Sequence, residues 1–209
     1  MPGAPEIEIE TAPDVYGPGE DTLLCAKHLE QALAERNKTG LAVLDMGCGA
    51  GFLGLTAAQS EKVAEVFLCD ISKAAVMLAQ KNYLFNKSKL SAKCAFLLTD
   101  LFSAVPRDRK FDIMIFNTPY LPREHLAPKL RSDETAWDGG ENGVEAALRF
   151  MSQAREHAQN GSEVLLVSSS FADLGKIKEA AKHDGFEFVD EHKKHIFFED
   201  IVSMRFRAR

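Results

Sequence analysis

Asn117-Thr118-Pro119-Tyr120 brings a side-chain amide, a restrained backbone carbonyl and an aromatic ring into one short segment. The run before it, Phe111 to Phe116, is apolar and rich in strand formers, and it predicts a buried strand of a parallel sheet. Open parallel sheets hold their ligand crevice beyond the carboxyl ends of the strands. Pro119 stiffens the turn and biases Thr118 toward an extended conformation. The Thr118 carbonyl can therefore point into the crevice beside the Asn117 side chain, with the ring of Tyr120 close by. Two acceptors and a flat ring suit a small planar group. A polar strand end closed by a turn is the plainer reading, and these residues alone leave both open.

A second constellation precedes it. Asp45-Met46-Gly47-Cys48-Gly49-Ala50-Gly51 follows a strand-like run and opens a helical pattern, so its glycines permit a tight turn and close approach of a ligand. Dinucleotide loops of the G-x-G-x-x-G type need a third glycine where this chain has Phe52, so that spacing fails. Asp70 ends the next strand-like run, where a carboxylate accepts hydrogen bonds from ribose hydroxyls. Asp100 follows the third and is placed to meet the exocyclic amine of an adenine. Any one of these aspartates reads equally as a helix cap or a solvated turn. Three successive strand ends carrying Asp all face the same crevice.

The elements that must position these residues alternate. Strands are predicted over Leu41 to Met46, Glu65 to Cys69, Ala95 to Leu98, Phe111 to Phe116 and Glu163 to Ser168. Helices are predicted from Leu23 to Ala34, after the glycine loop through Gln59, from Ser72 to Phe85, from Asn142 to His157 and from Asp173 to Lys182. The alternation predicts an α/β three-layer sandwich with a mostly parallel sheet. Phe186 to Val189 and Ile196 to Phe206 alternate like an antiparallel hairpin turning near Lys193-Lys194. Glu6 to Glu10 is either an edge strand or a loosely held arm. The long irregular stretch 118–141, with Trp137 and Gly139-Gly140, reads as a wall of the substrate pocket.

A chain of 209 residues with 45% hydrophobic and 27% charged residues suits one soluble domain. Its net charge of -6 disfavours broad attachment to a nucleic acid backbone. Cys25, Cys48, Cys69 and Cys94 form no C-x-x-C pair and read as reduced, packed residues, with no disulfide framework or zinc site. No apolar run matches a membrane span and no signal pattern opens the chain, so a cytoplasmic protein is expected. His192 and His195 read as surface or turn residues. No histidine falls in a metal-ligand spacing.

The chain resembles a class I S-adenosylmethionine-dependent methyltransferase of the Rossmann-like, seven-stranded type. It is most similar to the glutamine N5-methyltransferases of translation release factors in their archaeal and eukaryotic short form. That family's Asn-Pro-Pro-Tyr motif corresponds to Asn117-Thr118-Pro119-Tyr120, and its Tyr-x-Pro-x-Glu-Asp-Thr segment to Tyr16 through Thr22. Trp137 to Gly143 resembles its Gly-Gly-x-x-Gly segment. The resemblance implies that Asp45, Gly47, Gly49, Asp70 and Asp100 line the cofactor site, joined by Asn117, and that Tyr16, Glu20 and Thr22 close over the methionine end. It implies that Asn117 and the Thr118 carbonyl grip the hydrogens of a substrate amide while Tyr120 stacks on its face. Thr118 departs from the family proline; the carbonyl is retained, and a looser loop is expected.

The resemblance further implies residues 1–40 as an arm and helix over the cofactor site, and 41–209 as the methyltransferase core, within a single domain. Relatives pair with a small zinc-binding activator through strand addition, for which the apolar third strand, Lys93 to Leu98, is the candidate edge. Enzymes that methylate adenine N6 or guanine N2 carry a similar motif, and a non-catalytic cofactor-binding scaffold is a further alternative. The acidic charge favours a protein substrate.

Overall fold

Leu41–Met46 (β1) is apolar on both faces save for Asp45, and every residue of it is buried. That pattern belongs to a central strand covered by helices on both sides. In the computed structural model, which describes residues 6–120, 143–196 and 198–209, β1 lies in the middle of a seven-stranded sheet. The order is β3-β2-β1-β4-β5-β7-β6, with β2 Val63–Asp70, β3 Lys93–Leu98, β4 Phe111–Asn117, β5 Ala158–Ser169, β6 Phe186–Ile196 and β7 Glu199–Ala208. The first five strands run parallel, and β7 enters antiparallel between β5 and β6.

Side chains alternate between two cores. Leu41 and Val43 of β1, with Ile113 and Ile115 of β4, pack against Leu24, Leu29 and Leu33 of α1 (Glu20–Glu35) and Leu53 of α2 (Phe52–Ala58). Ala42, Leu44 and Met46, with Met114 and Phe116, face Phe150 and Met151 of α4 (Glu145–Ala154) and Ile177 of α5 (Leu174–His183). Helix α3 (Lys73–Asn86) covers β2 and β3 on the first side, where Ala79 joins the α1–α2 core. The three-layer α/β sandwich with a mostly parallel sheet and a C-terminal antiparallel hairpin is the expected architecture.

Several boundaries differ from expectation. The hairpin does not turn at Lys193-Lys194: those residues sit inside β6, paired with Val202 and Ile201. β6 is an edge strand with one open side, where lysines are tolerated and discourage pairing with other chains. Glu6 to Glu10 forms no strand; the arm is held by α3, whose Asn86 and Asn82 side-chain oxygens accept the Glu8 and Glu10 backbone N–H groups at 3.0 and 2.9 Å. Helix α4 starts at Glu145, after Gly143 and Val144, and tightens into a 3-10 turn over Arg155–His157; the predicted start at Asn142 lies outside the described residues. All four cysteines are free, and three are buried. Most of the 118–141 stretch, with Trp137 and Gly139-Gly140, lies outside the described residues.

His192 also departs from its surface reading. It lies within β6, and its ring stacks on the buried His28 of α1 at 4.1 Å between centroids. The hairpin thus packs under the helix, which the one-dimensional pattern of a polar edge strand does not reveal. His195 is exposed and hydrogen-bonds Asp200.

Candidate active site

The chain runs from β1 outward to β3 and then returns to place β4 on the other side of β1. Loops leaving β1 and β4 therefore part at the carboxyl end of the sheet, opening the crevice found at such a switch point. A cavity of about 550 Å³ lies there. Gly47, Gly49, Asp70, Asp100 and Tyr16 line it together with Asn117, Thr118, Pro119 and Tyr120. A recess of about 30 Å³ adjoins it and is lined by Asp45 and Thr22. Glu20 lines neither; its carboxylate is exposed and ion-paired with Lys194.

The glycine loop is built by backbone and carboxylates. Gly49 has φ +51, and a Cβ there would stand 3.0 Å from the Tyr16 carbonyl oxygen, so only glycine lets the arm close over the loop. Asp70 Oδ2 accepts the Gly49 N–H at 2.9 Å and Oδ1 accepts the Ser72 N–H at 2.8 Å. With a further backbone hydrogen bond from Ile71, the carboxylate still keeps acceptor capacity for a ligand hydroxyl. Burial raises the Asp70 pKa above the carboxylate norm, against the pull of these backbone donors.

Asp45 lies deeper. Its Oδ2 accepts the Gly54 N–H at 2.7 Å, capping the first turn of α2 from below. Burial, with a smaller push from the Asp70 charge, lifts its pKa to about 7 despite that hydrogen bond. Asp100 is exposed, and both its oxygens accept from Arg149 Nη2, at 3.1 and 3.0 Å. Leu101 beside it has φ +47, a strained value for a side chain of that size, and its carbonyl accepts the Thr99 hydroxyl at 2.9 Å. Leu101, Ile71 and Arg149 line the cavity, and the sequence reading did not single them out.

The β4 terminus is organised by α1. Asn117 Nδ2 donates to Asp21 Oδ2 at 3.1 Å and to Thr22 Oγ1 at 3.3 Å. Asp21 also accepts the Tyr16 hydroxyl at 2.8 Å and the Tyr120 hydroxyl at 3.3 Å. Burial, reinforced by the Asp21 charge, raises both phenols far above their usual range, so both remain donors. Asn117 Oδ1 is buried and has no hydrogen-bond partner among the described residues. A buried acceptor left unmatched is costly, so it marks a place for a ligand donor. The sequence does not single out Asp21 by itself; its position inside the Tyr16–Thr22 segment is the available signal.

Thr118 is buried, and its hydroxyl donates to the Val167 carbonyl of β5 at 2.7 Å. The threonine therefore pins the turn to the neighbouring strand, where a looser loop was expected.

A Rossmann-like three-layer sandwich with a glycine loop, acidic strand ends and this β4 terminus around one cavity is the architecture of a class I methyltransferase, for which S-adenosylmethionine is the methyl donor. The model of the methyltransferase small domain family matches residues 6–132, and the chain belongs to that family. A putative protein N5-glutamine methyltransferase of Methanocaldococcus jannaschii is 30% identical over 198 residues, which cover 94% of this chain and 93% of that protein. A release factor glutamine methyltransferase of Koribacter versatilis is 31% identical over 156 residues, 70% of this chain. The chain spans about half of that protein, 54% of its length. Among solved structures, the Mtq2–Trm112 complex of E. cuniculi, responsible for methylation of the eRF1 translation termination factor, aligns with a TM-score of 0.67 at 20% identity, over 94% of this chain and 99% of the matched one.

The residues present fit the donor. Asp70 presents a carboxylate to the cavity that could take ribose hydroxyls, Gly47 and Gly49 line it with backbone, and the buried carboxylate of Asp21 lies along the same wall.

Proposed function

We infer that this methyltransferase acts on the side-chain amide nitrogen, N5, of a glutamine in a protein, and that the protein is a peptide chain release factor, which would set its work in translation termination in the cytoplasm. The observation that carries this reading is the unmatched, buried Asn117 Oδ1 at the end of β4. An acceptor with no donor of its own calls for a ligand N–H. The names of the relatives support the substrate class, and the net charge of -6 suits a protein better than a nucleic acid.

S-adenosylmethionine supplies an electrophilic methyl group on a sulfonium that leaves readily. The chain's own task is to hold a weak nucleophile in line with it. An amide nitrogen is weak because its lone pair is delocalised into the carbonyl. Asn117 Oδ1 and the Thr118 carbonyl serve as the two acceptors for its hydrogens, favouring a nitrogen whose lone pair points at the methyl. Acceptors fixed where positive charge develops stabilise the transition state more than the ground state. Tyr120, anchored through its hydroxyl, lays its ring against the flat amide, and holding the partners in line contributes further. Asp70 and Asp100 bind the nucleoside part of the donor, Tyr16 and Thr22 close over its amino-acid end, and Asp45 supports the loop from below.

Residues 1–40 would serve as an arm and helix over the cofactor site, and 41–209 as the core, within one domain. A small activator subunit, of the zinc-binding kind that the resemblance implies, would add a strand along β3. That strand is an edge of the sheet, and Leu98, Leu84 and Phe85 beside it are 53%, 67% and 57% exposed.

Transfer of labelled methyl into the protein and nucleic acid fractions of a lysate, with and without the activator, tests the reading. Label in a protein of release-factor size is expected, with Asn117→Ala losing on the order of 10²-fold or more in rate. Label confined to nucleic acid would overturn the glutamine assignment in favour of a base.

A further inference from the structure

An asparagine amide can be turned over, exchanging its oxygen for its nitrogen, and the two orientations have opposite chemistry. With Oδ1 toward the cavity Asn117 accepts a hydrogen bond from the substrate; with Nδ2 there it would donate one and repel an N–H. Nothing in β4 decides between them. The choice is made by α1. Asp21 Oδ2 and Thr22 Oγ1 stand at 3.1 and 3.3 Å from Nδ2, and the carboxylate can only accept.

We propose that Asp21 is a positioning residue: its carboxylate locks the Asn117 amide with Oδ1 facing the substrate, so that the site admits a group bearing N–H and rejects one that offers only acceptors. The proposal rests on the reading of Asn117 as a substrate acceptor and deepens it.

The geometry around Asp21 supports a fixed part. The residue is 4% exposed. Its Oδ1 accepts the Thr22 backbone N–H at 2.6 Å and the Tyr16 hydroxyl at 2.8 Å, while Oδ2 takes Asn117 and, at 3.3 Å, the Tyr120 hydroxyl. One oxygen is thus held by α1 and the arm, and the other is offered to Asn117 at the end of β4 and to Tyr120 just beyond it. Thr22 Oγ1 is itself oriented, donating to Asp21 Oδ1 at 3.2 Å and accepting the Gly19 N–H at 3.3 Å. Turning the Asn117 amide over would set its oxygen against the Asp21 carboxylate, two acceptors with no hydrogen between them. That repulsion enforces the orientation before any substrate arrives.

Specificity follows from the same contact. A glutamine amide carries two N–H groups and satisfies Oδ1. A carboxylate, as in glutamate, carries none and would leave Oδ1 buried and unmatched against a second negative group. Sites built to hydrogen-bond a donor reject analogues lacking it strongly, because their own polar group is then stranded.

A double-mutant cycle at saturating S-adenosylmethionine tests the lock. Asp21→Asn should lower kcat toward a glutamine substrate by about 10²-fold, similar to Asn117→Ala. The double variant should lose clearly less than the product of the two single losses, because Asp21 acts chiefly through Asn117 and holds the Tyr120 hydroxyl only by a longer contact. Losses that multiply, or full turnover by Asp21→Asn, would overturn the proposal. A second measurement needs no change at position 21. In wild-type protein, the Asn117 side-chain NH₂ signals, identified by their absence in Asn117→Ala, should exchange slowly with solvent before substrate is added. Fast exchange would overturn the lock. Wild type without activity on glutamine would instead strike the functional reading on which the proposal rests.

Discussion

His28 Nε2 of α1 lies 2.8 Å from Asp190 Oδ1 of β6, and His28 Nδ1 lies 2.9 Å from Ser203 Oγ of β7. The helix that presents Asp21 and Thr22 to the active site is therefore tied to the C-terminal hairpin through a fully buried imidazole. Arg205 extends the tie, donating to Asp190 at 2.6 Å and to Glu35 at the far end of α1 at 2.7 Å. Glu35, Asp190 and Arg205 form one ionic network on the hairpin side of α1.

The network makes stability depend on pH. Burial holds the His28 pKa below the ordinary 6.5, with the neighbouring His192 and Arg205 pushing the same way and Asp190 opposing. A depressed histidine favours the fold in its neutral form. Its contribution is present above 6.5 and is lost as the pH falls through the lower folded value. The melting temperature should fall as the pH drops from neutral to about 5, and His28→Gln should flatten that slope relative to wild type. Identical slopes would remove His28 as the cause.

Asp45 gives the opposite sign. Its folded pKa of about 7 stands above the unfolded 3.8, so the fold favours the protonated acid. The stabilising contribution is present below 3.8 and is lost as the pH rises through 7. Asp45→Asn keeps an oxygen for the Gly54 N–H and removes the buried charge. In the cofactor-free protein it should melt higher than wild type above pH 8, by an amount that shrinks on acidification. A gap that stays constant with pH would show that ionisation of Asp45 is not its source.

Asp70 and Asp100 should separate stability from binding. Asp70→Ala strands the Gly49 and Ser72 N–H groups and should cost about 1–3 kcal/mol of stability along with cofactor affinity. Asp100 shares only an exposed pair with Arg149, so Asp100→Ala should change stability by less than about 1 kcal/mol. If Asp100 meets the adenine amine, the same change should weaken S-adenosylmethionine by about tenfold in calorimetry, the equivalent of one hydrogen bond. Unchanged affinity would remove it from the nucleoside site.

The order of strands and helices, the glycine loop and the amide-bearing end of β4 were legible in the sequence because each is a local pattern. Buried parallel strands read as apolar runs, and glycines mark the turns that a side chain would block. The misplaced hairpin turn and the surface reading of His192 have one origin: an edge strand under a helix is polar on its open side and offers no local sign of its cover. Asp21 shows the limit most clearly. In the chain it stands 96 residues from Asn117, and the segment around it places it near the cofactor without pointing to the amide. Only the folding of α1 across the carboxyl ends of β1 and β4 brings the carboxylate to the amide. Sequence determined which groups the site owns. Tertiary structure decided which way the amide faces, because a hydrogen bond depends on distance and direction that no spacing along the chain encodes.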